Sequence, residues 1–296
     1  ASDLGFIVGP RLNAAGRLDD MSIGIECLLA ESSASARGFA EKLHQLNRER
    51  RDIEQSMQQD ALAQLESIDF EGDASLFAMT LYDPAWHQGV IGILASRIRE
   101  RVHRPTLVFA DAEEGMLKGS GRSIPGLHLR DVLDQVATRH PGLLTKFGGH
   151  AMAAGLSLAR DDLNRFKQAL NDAVAEALGY TPPERTEESD GALARSDFGL
   201  PLAEQLASGG PWGQHFPEPL FDGQFFVRSH RIVGEKHLKL TLDADGTEIE
   251  GIAFNIDVPK WLAAPLDAFH ALYRLDVNEY RGERRAQLVI QSFWPC

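Results

Sequence analysis

Two stretches of the 296-residue sequence carry the residue types from which a phosphate site is built. One is Lys118-Gly119-Ser120-Gly121-Arg122-Ser123; the other is Lys146-Phe147-Gly148-Gly149-His150-Ala151-Met152-Ala153-Ala154-Gly155. In each, glycines remove the Cβ, so that backbone N–H groups can turn toward an anion and the chain can approach it closely, with a basic or imidazole side chain alongside. Ser120 adds a hydroxyl donor, and Arg122 a planar fork suited to two contacts with one phosphate. Either stretch alone also reads as ordinary turn glycines beside a solvated charge, because short glycine motifs recur by chance. Their occurrence in one short segment favours a site.

Further candidates lie N-terminal to these. Gly9 to Asp20 reads as a loop in which Asn13 and Arg17 could reach a phosphate; equally, they could cap a helix and pair with Asp19 or Asp20. His87, in Trp86-His87-Gln88-Gly89, follows a strand-like run, where ligands gather in α/β sheets. It could face a phosphate or simply satisfy its own loop. No His or Asp pair has obvious metal spacing, and Cys27 and Cys296 match neither a zinc site nor a disulfide framework. The net charge of −13 argues against sequence-blind adhesion to nucleic acid. Residues 79 to 158 nevertheless hold nine Lys or Arg against seven Asp or Glu, a local patch able to steer a polyanion. With 43% hydrophobic and 25% charged residues the chain is an ordinary globular one, long enough for two domains. No apolar run approaches the ~20 residues of a membrane span, and the first residues lack a signal pattern, so the sequence reads as cytoplasmic, with no membrane partner.

The elements that must hold these residues follow from periodicity. Residues 34 to 65 repeat apolar positions at three, four and seven, as one long helix does. From Ser75 an α/β rhythm begins: strand to Leu81, helix from Val90 to Val102, strand from Thr106 to Ala110, strand from Met116 to Arg122 and helix from Leu129 to Thr138. A strand ends near Leu158, and Asp161 or Asp162 would cap a helix running to Leu178. Residues 180 to 210 lose their apolar period and read as a linker. Beyond them, five period-two runs, hairpin signals at Asp245-Gly246 and Arg281-Gly282 and a short helical insert near Val258 to Leu262 suit a small barrel of the oligonucleotide-binding type. Phe226, Phe254, Tyr273, Tyr280 and Trp294 could stack bases or fill its core.

Five motifs in one order carry a resemblance. They are Leu12-Asn13-Ala14-Ala15-Gly16-Arg17-Leu18-Asp19-Asp20, Trp86-His87-Gln88-Gly89-Val90-Ile91-Gly92-Ile93-Leu94-Ala95-Ser96-Arg97, the Leu117 to Ser123 run, the Lys146 to Gly155 run and Gly210-Pro211-Trp212-Gly213. Together they resemble the RecJ exonucleases, bacterial single-stranded-DNA-specific 5′→3′ enzymes of the DHH phosphoesterase superfamily. The resemblance implies an α/β DHH-associated (DHHA1-type) domain reached by a long helix and followed by an all-β OB-fold. It divides the sequence into 1–33, the end of a DHH domain; 34–66, the helix; 67–179, the associated domain; 180–210, a linker; and 211–296, the OB-fold. It implies hydrolysis by water activated on Mn²⁺ or Mg²⁺ in the family's first domain, in DNA repair and recombination. The Asp-His-His signature does not occur here, so this chain is expected to bind no metal and to be inactive alone. By position, Ser120, Gly121 and Arg122 resemble contacts to the 5′ phosphate, with Gly148, Gly149 and His87 as further strand contacts. Asn13, Arg17 and His150 resemble residues of the catalytic cleft. The implied partners are a single strand with a 5′ end, a RecQ-type helicase and single-strand-binding protein, with the protein a monomer. A self-sufficient strand-binding module and an oligonucleotide phosphodiesterase are the alternative readings.

Overall fold

The computed structural model describes residues 3–66, 75–183, 186–213 and 216–296. The chain divides into two compact units, Ala1–Arg185 and Thr186–Cys296. The first opens with a π-helical turn, Asp3–Val8, then α1 (Gly9–Leu18) and α2 (Ser22–Leu29). The Gly9 to Asp20 stretch, expected as a loop, is therefore mostly helix. Pro10 sits in the first turn, where a missing N–H costs nothing. The small residues that suggested a loop allow close packing instead: Ala14 and Ala15 are fully buried against Leu43 and Leu46.

Those leucines lie on α3 (Ser33–Glu66), whose 34 residues span about 50 Å at 1.5 Å per residue. Farther along the same helix, Met57, Ala61 and Leu65 enter a second cluster with Leu94 and Ile98. The expected start of the associated domain at residue 67 lies outside the described residues.

A five-stranded mixed sheet follows, in the order β1-β2-β3-β5-β4. Strands β1 (Met79–Tyr82) and β2 (Thr106–Asp111) are parallel, joined by α4 (Ile91–Val102); β3 (Met116–Arg122), β4 (Lys146–Gly149) and β5 (Ala153–Ala159) pair antiparallel. Alternation along each strand sends one set of side chains to each face. Leu107, Phe109, Leu117, Leu156 and Leu158 meet Leu133 of α5 (Leu129–Arg139) and Phe166 and Leu170 of α6 (Leu163–Ala177). Asp162 takes the cap position of α6, but its carboxylate makes no capping bond. On the opposite face Met79, Leu81, Val108 and Ala110 meet α4. That helix packs on β2 and β3, and the same face farther along, at Lys118, Gly155 and Lys146, is exposed.

The second unit is a closed barrel in the order β10-β8-β7-β6-β9. Its strands are β6 (Phe221–Val233), β7 (His237–Ala244), β8 (Thr247–Ala253), β9 (Ala268–Tyr280) and β10 (Glu283–Pro295), with the short helix Val258–Ala263 between β8 and β9. Both hairpins expected from Asp-Gly and Arg-Gly form with positive φ at both central residues (50° and 82°, 53° and 82°), the twist that two-residue turns need. Phe225, Phe269, Tyr273, Leu240 and Leu288 fill the interior. Of the five candidate aromatics Tyr273 is core; Phe226, Phe254, Tyr280 and Trp294 are exposed.

Part of the stretch expected as a linker is structured, at Arg195–Asp197 and Leu200–Ser208. A helix, Leu200–Ser208, buries Ala203 in the barrel's core, with Leu193, Phe198, Leu202 and Leu206 packed around it. The Asp190 N–H donates to the Leu220 carbonyl at 2.7 Å. These apolar residues plug the barrel, a tertiary role that leaves no local period; Glu184 lies outside the described residues.

Candidate nucleic-acid interface

The alternation of β3 separates the two halves of its glycine motif. A Cβ on Gly119 would lie 2.4 Å from the Phe109 ring, and one on Gly121 2.8 Å from Leu129. Both glycines make room for the core beneath the sheet; neither opens the backbone to an anion. Ser120 and Arg122 point to the other face, toward the first turn of α4. A Cβ on Gly92 there would stand 3.0 Å from the Ser120 hydroxyl and 3.1 Å from the Arg122 guanidinium. Arg122 donates to Ser120 Oγ at 3.3 Å and to the Gly121 carbonyl at 2.8 Å.

Arg17 closes the site from α1. Its guanidinium donates to the Gly89 carbonyl at 3.1 Å. A Cβ on Gly89 would fall 2.0 Å from the Arg17 carbonyl, so the Trp86 to Gly89 loop and α1 meet only because residue 89 is glycine. The alternative pairing of Arg17 with Asp19 or Asp20 is not what forms: Asp19 pairs with Lys42 at 3.5 Å, and Asp20 accepts from the Ser22 N–H at 2.8 Å. Burial, reinforced by the charges of Arg17 and Arg99, holds the Arg122 guanidinium below its ordinary value. Among the described residues no carboxylate pairs with it. Arg50 is lowered too, by burial first and by Arg51 and Arg17, while Glu54 opposes the shift. Glu54 is engaged with Arg50 and, at 3.4 Å, with Arg97. Arg99, in the last turn of α4, pairs with Glu100 at 3.4 Å, and Arg50 with Glu54; Arg17 and Arg122, at the helix N-terminus, have no carboxylate partner among the described residues.

The remaining candidates are placed less directly. Asn13 is exposed on α1, four residues before Arg17 and hence on the same helical face. His87 Nδ1 accepts from the Gly89 N–H at 3.0 Å, so the imidazole satisfies its own loop. Gly149 has φ +145°, and a Cβ there would lie 2.3 Å from the Ala153 carbonyl; this is the glycine the tight β4–β5 turn requires. His150, exposed, anchors that turn through its N–H to the Ala153 carbonyl at 2.8 Å. Ala153 pairs with Arg122 across β5 and β3, which puts His150 on the same transverse row as the arginine. Gly148 pairs with Gly155 on the exposed face. The sequence analysis quoted Gly89 and Gly92 within a motif and counted Arg99 in the basic patch, but gave none of them a place in the site. Two glycines three apart at a helix start, with arginines on the following turns, were the available signal.

Among the described residues no three His, Cys, Asp or Glu side chains gather as a metal site requires. No helix among the described residues is long and apolar enough to cross a membrane.

An α/β unit with this cation cluster and a separate five-stranded barrel define the class. Residues 73–176 match the DHHA1 domain and residues 189–292 the RecJ OB domain. The whole chain is 52% identical to the single-stranded-DNA-specific exonuclease RecJ of Dickeya dadantii and 49% identical to that of Escherichia coli, covering 52% of each relative. It superposes on the crystal structure of Thermus thermophilus RecJ in complex with Mn²⁺ with a TM-score of 0.80 and 27% identity, covering 99% of this chain and 41% of that one. The Mg²⁺ complex gives 0.79 and 28%. The chain belongs to the RecJ family, of which it represents a C-terminal portion. It spans about half the length of the curated relatives it matches.

Proposed function

We propose that this chain holds the 5′ end of a single DNA strand for a 5′→3′ exonuclease acting in DNA repair and recombination. The observation that carries this is the Arg17, Ser120 and Arg122 cluster at the first turn of α4, where Arg122 has no carboxylate partner among the described residues. A terminal phosphate dianion would supply the missing counter-charge, taking the Arg122 fork and the Ser120 hydroxyl as donors. An internal phosphodiester has one negative charge and two ester oxygens, so the cluster favours an end. His150 and Asn13 flank this position as strand contacts; Gly121 contributes only its carbonyl, which orients Arg122. Divalent ions, Mn²⁺ or Mg²⁺, would be held by residues outside this chain, which therefore degrades no DNA by itself. Residues 3–33 support such a further domain: Leu4, Phe6, Leu28 and Leu29 are each more than two-thirds exposed (69%, 79%, 69% and 74%), as on the edge of an interrupted core.

Fluorescence anisotropy of the chain with a short oligo-dT bearing a 5′ phosphate or a 5′ hydroxyl tests the reading. Tighter binding of the phosphorylated strand, lost in Arg17→Ala, is expected. Equal affinity for the two ends would refute end recognition, and Mn²⁺-dependent degradation by the chain alone would refute the division of labour.

A further inference from the structure

The uncovered part of the sheet carries two lysines that the end site does not use. Lys118 of β3, Ser157 of β5 and Lys146 of β4 are direct cross-strand partners, so all three stand on one transverse row and one face. With strands about 4.8 Å apart, the lysine backbones are about 10 Å from each other. Among the described residues neither lysine has a salt-bridge partner. Between them lies an open depression of about 220 Å³, lined by Lys118, Lys146, Gly155, Ser157 and their strand neighbours. The next row on the same face is Ser120, Gly155 and Gly148.

The glycines of that row differ from the others near it. Gly119, Gly121 and Gly149 are required by packing or backbone, since a Cβ on each would come within 3.0 Å of a neighbour. Gly155 would meet only the Gly119 carbonyl, at 3.8 Å, and Gly148 nothing within 4 Å; neither has positive φ. What their bare backbone preserves is free space above the sheet. Two residues along β3 advance about 6.7 Å, the order of the interval between successive phosphates in an extended strand. The row of lysines thus lies one such step from Ser120, across a floor with no side chain in the way.

We propose that Lys118 and Lys146, beside the Gly148–Gly155 floor, form a second phosphate-binding site that takes a backbone phosphate of a single DNA strand whose terminal phosphate is held by Ser120 and Arg122. The inference rests on the end-binding reading for the identity of the strand, and it is separable from that reading by experiment. Lysine, a mobile point charge, suits a passing phosphodiester that needs no fixed geometry, where arginine suits a fixed end.

The test is anisotropy of the full chain with short oligo-dT, 5′-phosphorylated or 5′-hydroxyl, across a salt series, comparing wild type, Lys118→Gln/Lys146→Gln and Gly155→Val. The valine retains both charges, and its branched side chain fits an antiparallel strand while filling the floor. The lysine variant is expected to weaken both oligonucleotides about tenfold and to lower the slope of log affinity against log salt by about 1 to 2. Gly155→Val is expected to weaken both with a thermal transition like that of wild type. If wild type binds both ends equally while the lysine effect persists, end recognition fails and the second site stands. Unchanged affinity in both variants overturns the second site, as does a lysine effect confined to the phosphorylated oligonucleotide, and a wild-type chain that binds neither strand overturns both proposals.

Discussion

The α4 side of the sheet and the barrel differ in how their cations are partnered. In the barrel, five cations are neutralised where they stand: Lys239 pairs with Glu250 at 3.0 Å, Arg274 with Glu218 at 2.6 Å, Arg284 with Glu204 at 2.7 Å, Arg285 with Glu283 at 2.7 Å, and Arg228 with Asp243. On the α4 side of the sheet, Arg17 and Arg122 bond to a carbonyl and a hydroxyl, and Lys118 and Lys146 have no acid partner among the described residues. A protein of net charge −13 has acids to spare, so this shortage is local. On the proposed function, electrostatic capture of a polyanion would belong to the sheet. The barrel also exposes the rings of Phe226, Phe254, Tyr280 and Trp294, which could add stacking.

The largest expected effect separates the two hairpins. Gly149→Ala puts a Cβ 2.3 Å from the Ala153 carbonyl at φ +145°, and should cost about 3 kcal/mol or more of the first unit's stability. Gly246→Ala, at φ +82° with its nearest neighbour at 3.5 Å, should cost the barrel only about 1 kcal/mol. Urea denaturation of the full chain checks both, and equal losses would mean that the β4–β5 turn relaxes as freely as the barrel turn.

The next effect concerns affinity. Arg122→Ala should weaken binding of a 5′-phosphorylated strand by about 1.5 to 3 kcal/mol, the scale of a charge-assisted hydrogen bond, with Arg122→Lys restoring the charge but not the fork. Arg285→Ala in the barrel should change it by less than about 0.5 kcal/mol, since that exposed cation is already paired. A barrel variant as damaging as Arg122→Ala would erase the contrast between the units.

The smallest effect is one of pH. The Asp222 carboxylate is held below its ordinary value of 3.8, first by the Ser189 hydroxyl and then by the hydrogen bond and charge of His270. A depressed carboxylate stabilises the fold above its unfolded pKa and loses that contribution as pH falls through the folded one. The barrel should therefore weaken below about pH 4, less steeply in Asp222→Asn, as acid titration followed by tryptophan fluorescence would show. An unchanged acid slope in the variant would remove this pair from the account.

Much of this arrangement was legible in the sequence because its cause is local. Strand β3 runs from Met116 to Arg122 as its alternation implies, and the barrel's strands and both hairpins follow from period two and Gly-containing turns. What was not legible depends on partners distant in sequence. The helix at Leu200–Ser208 is specified by the barrel interior it plugs, and α1 by the leucines of α3 against which its alanines pack. The glycine motif shows the limit most clearly. Alternation reveals that Gly119 and Gly121 share a face opposite Ser120 and Arg122, but only the sheet order decides which face receives the core.

Helix α3 joins two contact clusters, at Leu43 and Leu46 and again at Met57, Ala61 and Leu65, so it fixes an angle as well as a distance. Each residue added or removed between Leu46 and Met57 would swing one end by about 100° and shift it by 1.5 Å relative to the other. Arg17 would then be carried away from the Gly89 carbonyl. Even a seven-residue change, which nearly restores the phase, displaces that end by about 10 Å. The solvent-facing positions of this rod are open to substitution, but its length is set like the tooth count of a gear.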